Sequence, residues 1–274
     1  MREDAVCYKH ENRSAAVACQ RCERPICASC MEQASVGFHC PECAKTGAQK
    51  VHRGIGSTTG DAVLTKVILG LIALTFVFQL AGPENSSNLL LFGPAVQDGE
   101  FWRIITSGFA HSRTLILHIA FNGYILWIFG RQLEPLLGRL KFGLVYLGGL
   151  LGGSLAVLLF DFNQATLGAS GAVLGLAGAM AVIHQKNGFS LLSSPAGFII
   201  VANLVSPFIL PSFNISFWGH FGGVIGGALV AAVVGTAATN KPQSGKLIAG
   251  VAAVLALAGA AVYVGLTNPL QGII

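Results

Sequence analysis

From residue 63 onward the chain is a succession of apolar stretches, roughly 63–82, 114–133, 142–160, 169–185, 196–211, 215–235 and 247–267, each nearly free of charge. A membrane-spanning helix needs about 20 largely apolar residues, so all seven stretches qualify or nearly do. The composition agrees, with 53% of the 274 residues hydrophobic and 11% charged, whereas soluble domains carry about 25% charged residues. The pattern predicts an all-α polytopic membrane protein.

The first fifty or so residues break this rule, because they hold all seven cysteines and a large share of the charges. They read as a separate soluble domain. The apolar part begins too late and runs too long for a cleaved signal peptide, so this domain is expected to stay attached. The expected organisation is a soluble domain over 1–45, a polar, Gly-rich linker over 46–62, a six-helix core over 63–235, and a loop with a seventh helix over 236–274.

Lys and Arg collect in cytoplasmic loops, and the short connections sort by that rule. Arg131, Arg139 and Lys141 follow the second stretch, Lys186 the fourth, and Lys241 and Lys246 the sixth, while the connections after the third and fifth hold neither residue type. The long loop after the first stretch has Arg103 and Arg113, offset by Glu84, Asp98 and Glu100. The alternation predicts a multi-pass protein of the plasma (inner) membrane, N-terminus cytoplasmic and C-terminus extracytoplasmic. The net charge of +5 is thus a matter of topology rather than of nucleic-acid affinity. Gly148, Gly149, Gly152 and Gly153 in the third stretch, Gly171, Gly175 and Gly178 in the fourth, and Gly222, Gly223, Gly226 and Gly227 in the sixth form small-residue faces that let helix backbones approach closely.

On this topology the second, fourth and sixth helices all run inward and carry reactive groups at one depth. His118 lies about one turn into the second, Ser170 opens the fourth, and His220 lies about one turn into the sixth. A lone serine is common in membrane helices and a lone histidine often only bonds a neighbouring helix, but ionisable groups inside a membrane are costly and mark function by default. A serine hydroxyl needs a base to take its proton, and imidazole is the usual partner. Ser170 therefore reads as the nucleophile and His220 as its general base. The spans hold almost no acid. Glu134 is at the inner end of the second and Asp161 reads as a solvated loop carboxylate, so a dyad is expected rather than a triad. His118 and Asn122, at i and i+4, share one helix face and, with the Ser170 backbone N–H, are candidate oxyanion donors. The plainer reading of that pair is an interhelical hydrogen-bond couple. Water must reach Ser170, which predicts a polar cavity opening outward.

Trp102-Arg103, His118-Ile119-Ala120-Phe121-Asn122, Gly168-Ala169-Ser170-Gly171 and Gly219-His220-Phe221-Gly222-Gly223, with Gly227 beyond and Gly130, Glu134 and Gly138 around the inner end of the second span, together resemble the rhomboid family of intramembrane serine proteases. The resemblance covers about residues 63–235. It implies a six-helix core in which Ser170 attacks, His220 is the base, and His118, Asn122 and the Ser170 backbone stabilise the oxyanion. It implies a first loop that braces the core through Trp102 and Arg103, and a fifth span and 210–216 loop that move to admit a substrate helix. One position departs from the pattern: Leu174 stands where some members place a tyrosine against the catalytic histidine. The seventh span is additional to the six-helix core.

In the soluble head, Cys7-x2-His10, Cys19-x2-Cys22, Cys27-x2-Cys30 and Cys40-x2-Cys43 form four chelating pairs. Structural zinc takes four Cys or His ligands, so the eight make two sites. Disulfides are the competing reading, but seven is odd and the expected compartment is reducing. His39 is a spare beside Cys40. The spacing resembles a B-box type zinc finger, which implies that the first couple pairs with the third and the second with the fourth. Metal binding then supplies the folding energy that so small a core cannot. A cytosolic protein partner is the natural role. Arg21, Arg24 and Lys45 are too scattered for a nucleic-acid surface.

The leading expectation is an intramembrane serine endopeptidase that cuts at the outer end of a substrate transmembrane segment, with no cofactor needed for catalysis. The alternative is a non-catalytic polytopic protein that binds or escorts membrane clients, and it gives no reason for Ser170 and His220. A transporter predicts ionisable residues along a path at mid-membrane, whereas these groups cluster at one end.

Overall fold

The computed structural model describes residues 5–34, 36–46, 61–190, 194–235 and 244–268. Most of the expected linker and the 236–243 connection, including Lys241, lie outside them. The chain divides into two compact units, within residues 1–53 and 54–274.

The first unit has almost no regular core. Three antiparallel two-stranded pairs are formed by β1 (Val6–Cys7) with β2 (His10–Ser14), β3 (Val17–Ala18) with β4 (Pro25–Ile26), and β5 (Glu32–Gln33) with β6 (Phe38–His39). A 3-10 turn at Ala28–Cys30 and the helix α1 (Pro41–Thr46) complete it. Apart from Ile26, its fully buried hydrophobic positions are cysteines.

The second unit is helical throughout: α2 (Val63–Leu80), three short helices α3 (Pro83–Ser87), α4 (Gly93–Gln97) and α5 (Arg103–Thr106), then α6 (Ile116–Leu137), α7 (Arg139–Phe160), α8 (Ser170–Lys186), α9 (Pro195–Ile209), α10 (Phe217–Val234) and α11 (Ser244–Thr267). Each of the seven expected stretches forms a helix, within a few residues of its expected ends. Among the described residues, α2, α7, α10 and α11 are long and apolar enough to span a membrane by length and composition alone. The other three fall short for physical reasons. α6 carries His118, Asn122, Arg131, Gln132 and Glu134, and α8 and α9 have 17 and 15 residues, about 25 and 22 Å at the usual rise.

α7 is the central helix, with 72% of its most apolar stretch buried against 28% for α2 and 22% for α11. Its glycines explain this position. A Cβ on Gly152 would lie 2.5 Å from the Gly222 carbonyl oxygen on α10, and one on Gly149 would lie 2.8 Å from the Gly175 Cα on α8. Lipid is as apolar as leucine, so this close packing, rather than a hydrophobic drive, is what associates the helices.

Two polar anchors fix the periphery. Glu134, 1% exposed, accepts from the backbone N–H groups of Leu64 and Thr65, both at 2.8 Å, and from the Thr65 hydroxyl at 2.7 Å. It thereby satisfies the open donors at the start of α2. The buried Arg103 bonds Glu100 and the carbonyls of Ser87 and Leu90, and Trp102 Nε1 donates to the Asn88 carbonyl at 3.1 Å. The first loop is thus folded on itself and tied to α7 by the Ser154 hydroxyl, which donates to the Ile104 carbonyl at 2.8 Å. The seventh helix touches the core: α11 packs on α7 and α10, and Gln97 of α4 donates to the Leu266 carbonyl at 3.3 Å.

Candidate active site and metal centres

Ser170 is the first residue of α8, and the chain reaches it through Gly168, whose φ of +129° few side chains adopt. A Cβ there would also lie 2.8 Å from His118 Nε2, so glycine is required twice over and His118 points at the segment leading into the serine. The first N–H groups of a helix have no intrahelical acceptor, and those of α8 open at Ser170. Across the interface, the α8 and α10 backbones nearly touch. A Cβ on Gly223 would lie 2.3 Å from the Gly171 carbonyl oxygen, and one on Gly227 2.2 Å from that of Gly175.

This approach brings Ser170 Oγ to 2.9 Å from His220 Nε2. The other ring nitrogen, Nδ1, lies 3.0 Å from the Asn203 backbone carbonyl on α9. A carbonyl only accepts, so Nδ1 carries the proton and Nε2 turns its lone pair toward the serine hydroxyl. His220 is 6% exposed, and among the described residues no carboxylate contacts its ring. Leu174 is buried and lines the same crevice. The helix-bound imidazole is thus held by a main-chain oxygen where the resemblance led one to look for a tyrosine.

His118 and Asn122 stand on α6 facing the same space. A cavity of about 530 Å³ is lined by His111, Ser112, His118, Ser170, Ser216 and His220. It lies at the end of the bundle where α6, α8 and α10 begin. A second crevice of about 130 Å³, between Phe121 and Asn122 of α6 and Ile199 and Asn203 of α9, also reaches Ser170 and His220. Asn122 Nδ2 donates to the His118 carbonyl of its own helix at 2.8 Å, so one of its two N–H groups is used within α6. His118 Nδ1 lies 3.5 Å from the Ser112 N–H and its ring packs on His111 at 5.1 Å.

Two neighbours have no counterpart in the sequence reading. The Asn203 carbonyl is a backbone group and leaves no sequence signal. His111 is fully buried, with Nδ1 on the Phe109 carbonyl at 3.1 Å and no partner for Nε2 among the described residues. Burial first, and the adjacent His118, hold it down to about 4. A second histidine seven residues before His118 was its only signal.

The head brings its eight expected ligands into two clusters, Cys7, His10, Cys27 and Cys30, and Cys19, Cys22, Cys40 and Cys43, with the ligand atoms of each within 4.8 Å of one another. The couples pair first with third and second with fourth, as the B-box likeness implies, and His39 belongs to neither cluster. Tetrahedral zinc with bonds of about 2.3 Å to sulfur needs donor separations near 3.8 Å. Cys22 and Cys40 sulfurs are 3.8 Å apart, and His10 Nδ1 is 3.4 to 3.8 Å from its three sulfurs. The donor set therefore fits a tetrahedral ion. Burial raises the Cys7 and Cys19 thiols, but backbone N–H donors outweigh it and bring both down to about 6. Cys43 is pushed up to about 12 by its neighbours Cys22 and Cys40 and by burial, and Cys30 to about 11 by burial and Cys7 and Cys27. Each cluster crowds sulfurs that cannot all ionise unless a cation offsets their charge.

Fold and site define a multi-pass membrane protein with a hydrogen-bonded serine–histidine pair held between its helices and a small Cys/His-rich head. Residues 98–237 match the Rhomboid domain. The chain is 32% identical over 217 residues to the rhomboid protease GluP of Bacillus subtilis (strain 168), covering 77% of this chain and 42% of that protein. It is 35% identical over 175 residues to RHOMBOID-like protein 6, mitochondrial, of Arabidopsis thaliana, covering 60% of this chain and 53% of that one. With the rhomboid protease AarA of Providencia stuartii it shares 26% identity over 200 residues, 61% of this chain and 70% of that protein. The chain belongs to the rhomboid family. It spans about half the length, or less, of the first two of these relatives.

Proposed function

We propose that the protein is an intramembrane serine endopeptidase working through a Ser170–His220 dyad. The observation that carries this reading is the hydrogen-bond chain from Ser170 Oγ through His220 to the Asn203 carbonyl, because it sets both the distance and the tautomer a general base needs. Ser170 Oγ attacks the scissile carbonyl carbon as its proton passes to Nε2. The imidazolium so formed keeps its Nδ1–H on the Asn203 carbonyl. The oxyanion is met by the Ser170 backbone N–H, by His118 and by the second N–H of Asn122. Nε2 then gives its proton to the leaving amine, and water entering through the large cavity releases the acyl group by the same steps.

The substrate is a transmembrane protein. A helix keeps its peptide groups in hydrogen bonds, so the cut falls where small or helix-breaking residues let the outer end unwind. Entry of the substrate helix from the lipid side is supported by the crevice between α6 and α9, which reaches Ser170, and by the apolar side chains that α9 presents outward, with Phe198 73% and Phe208 71% exposed. The charge alternation of the connections supports an N-terminus in the cytoplasm of a plasma-membrane protein. There the head takes two structural zinc ions, one per cluster, and meets a cytosolic protein. The test is cleavage of a reporter transmembrane substrate in proteoliposomes by the parent protein and by Ser170→Ala. The parent cuts and the variant does not; equal cutting by both overturns the assignment.

A further inference from the structure

The base His220 is the fourth residue of α10, at the positive end of the helix dipole, which opposes protonation of its ring. Serine–histidine chemistry usually meets that cost with an acid on the imidazole, and here none touches it among the described residues. The nearest hydrogen-bonded acid is one step removed. Asp161, half-buried at the C-cap of α7, accepts the Ser216 hydroxyl at Oδ2, 3.1 Å away. Ser216 Oγ in turn accepts the Gly219 N–H at 3.1 Å, capping α10, and the Ser216 carbonyl accepts the His220 N–H at 3.2 Å. The Ser216 proton is committed to Asp161, so its lone pairs face the helix.

Resting on the dyad proposed above, we propose that Asp161 is a positioning residue for the base: through Ser216 it holds the first turn of α10 and sets a negative charge against the helix end at which His220 is protonated. No other described acid serves that end. His118 on α6 faces His220 from across the cavity. α8 has His184 and Lys186 at its far end, α9 has no ionisable side chain, and α11 offers Lys246 at the opposite end and the exposed Tyr263. A neighbouring tie between the same loops, Gln164 Nε2 donating to Asn214 Oδ1 at 3.1 Å, carries no charge and provides a control.

The experiment uses the full-length protein in proteoliposomes, with labelling of Ser170 by a small fluorophosphonate and cleavage of a reporter transmembrane substrate. Asp161→Asn lowers both the labelling rate and kcat about tenfold, the size of one charge-assisted hydrogen bond, with KM within about twofold. Asp161→Glu restores most of the rate, and Gln164→Ala labels like the parent. Asp161→Asn in a Ser216→Ala background falls no further than Ser216→Ala alone, as expected for groups acting through each other. Parent-like labelling by Asp161→Asn, multiplicative losses in the double variant, or an equal loss in Gln164→Ala overturns the proposal. Ser170→Ala is read separately: labelling that survives it removes the dyad itself, whatever Asp161 does.

Discussion

The distance between Ser170 and His220 is set by backbone contact between α8 and α10, and Gly223→Ala tests it. The added Cβ would lie 2.3 Å from the Gly171 carbonyl oxygen, 2.7 Å from its Cα and 2.8 Å from its carbonyl carbon. A carbon approaches a carbonyl oxygen without penalty to about 3.3 Å, so the helices must separate by about 1 Å. The clash is with main chain on both sides, which cannot swing away as a side chain can. Moving Ser170 Oγ that far from its 2.9 Å contact with His220 takes the pair beyond the reach of about 3.2 Å that proton transfer needs. A misplacement of that size costs about 100-fold in rate, and overpacking adds a stability loss of about 1–3 kcal/mol. The assay is single-turnover cleavage of a reporter substrate by variant shown to be folded from its thermal unfolding. Gly70→Ala on α2, where nothing lies within 4 Å, is the matched control and should cut like the parent. Cleavage by Gly223→Ala within about threefold of the parent, against the 100-fold expected, would refute the link between helix spacing and catalysis.

The His220 ring is oriented by a main-chain oxygen, so Asn203→Ala should keep kcat within about threefold, and a loss near the 100-fold of a misplaced group would mean that the side chain matters. Glu134→Gln removes a carboxylate that accepts three hydrogen bonds at the start of α2; a loss of about 2–3 kcal/mol is expected, read as a lower unfolding temperature, and no change would mean that this anchor is dispensable. Purified protein should contain about two zinc ions per chain, four ligands to each, by elemental analysis. Cys19→Ser should lose the metal of its own cluster and keep the other, and retention of both would show that the cluster assignment is wrong.

Much of the site is legible in the sequence because its elements are periodic or charged. Ser170 within Gly168-Ala169-Ser170-Gly171, a histidine in a glycine-rich helix and His118 four residues before Asn122 announce themselves. The eight head ligands show in four couples of fixed spacing. The Asn203 carbonyl does not show, because every residue has one. Nor does the role of Asp161, read as a solvated carboxylate until Ser216 is seen bonded to it. Asn122 was legible as a donor, but its use within its own helix depends on a rotamer.

Hydrophobic length and cysteine spacing determined, without any structure, that this chain makes seven long helices and a small head whose Cys and His couples gather in two clusters, because both follow from the cost of placing polar groups in hydrocarbon and from the four ligands a structural metal site takes. Only the tertiary structure decided which nitrogen of His220 faces Ser170, what holds the other, and that α11 and the first loop meet. Those depend on angles and separations of a few tenths of an ångström between helices far apart in sequence, where glycine allows contact but does not name its partner.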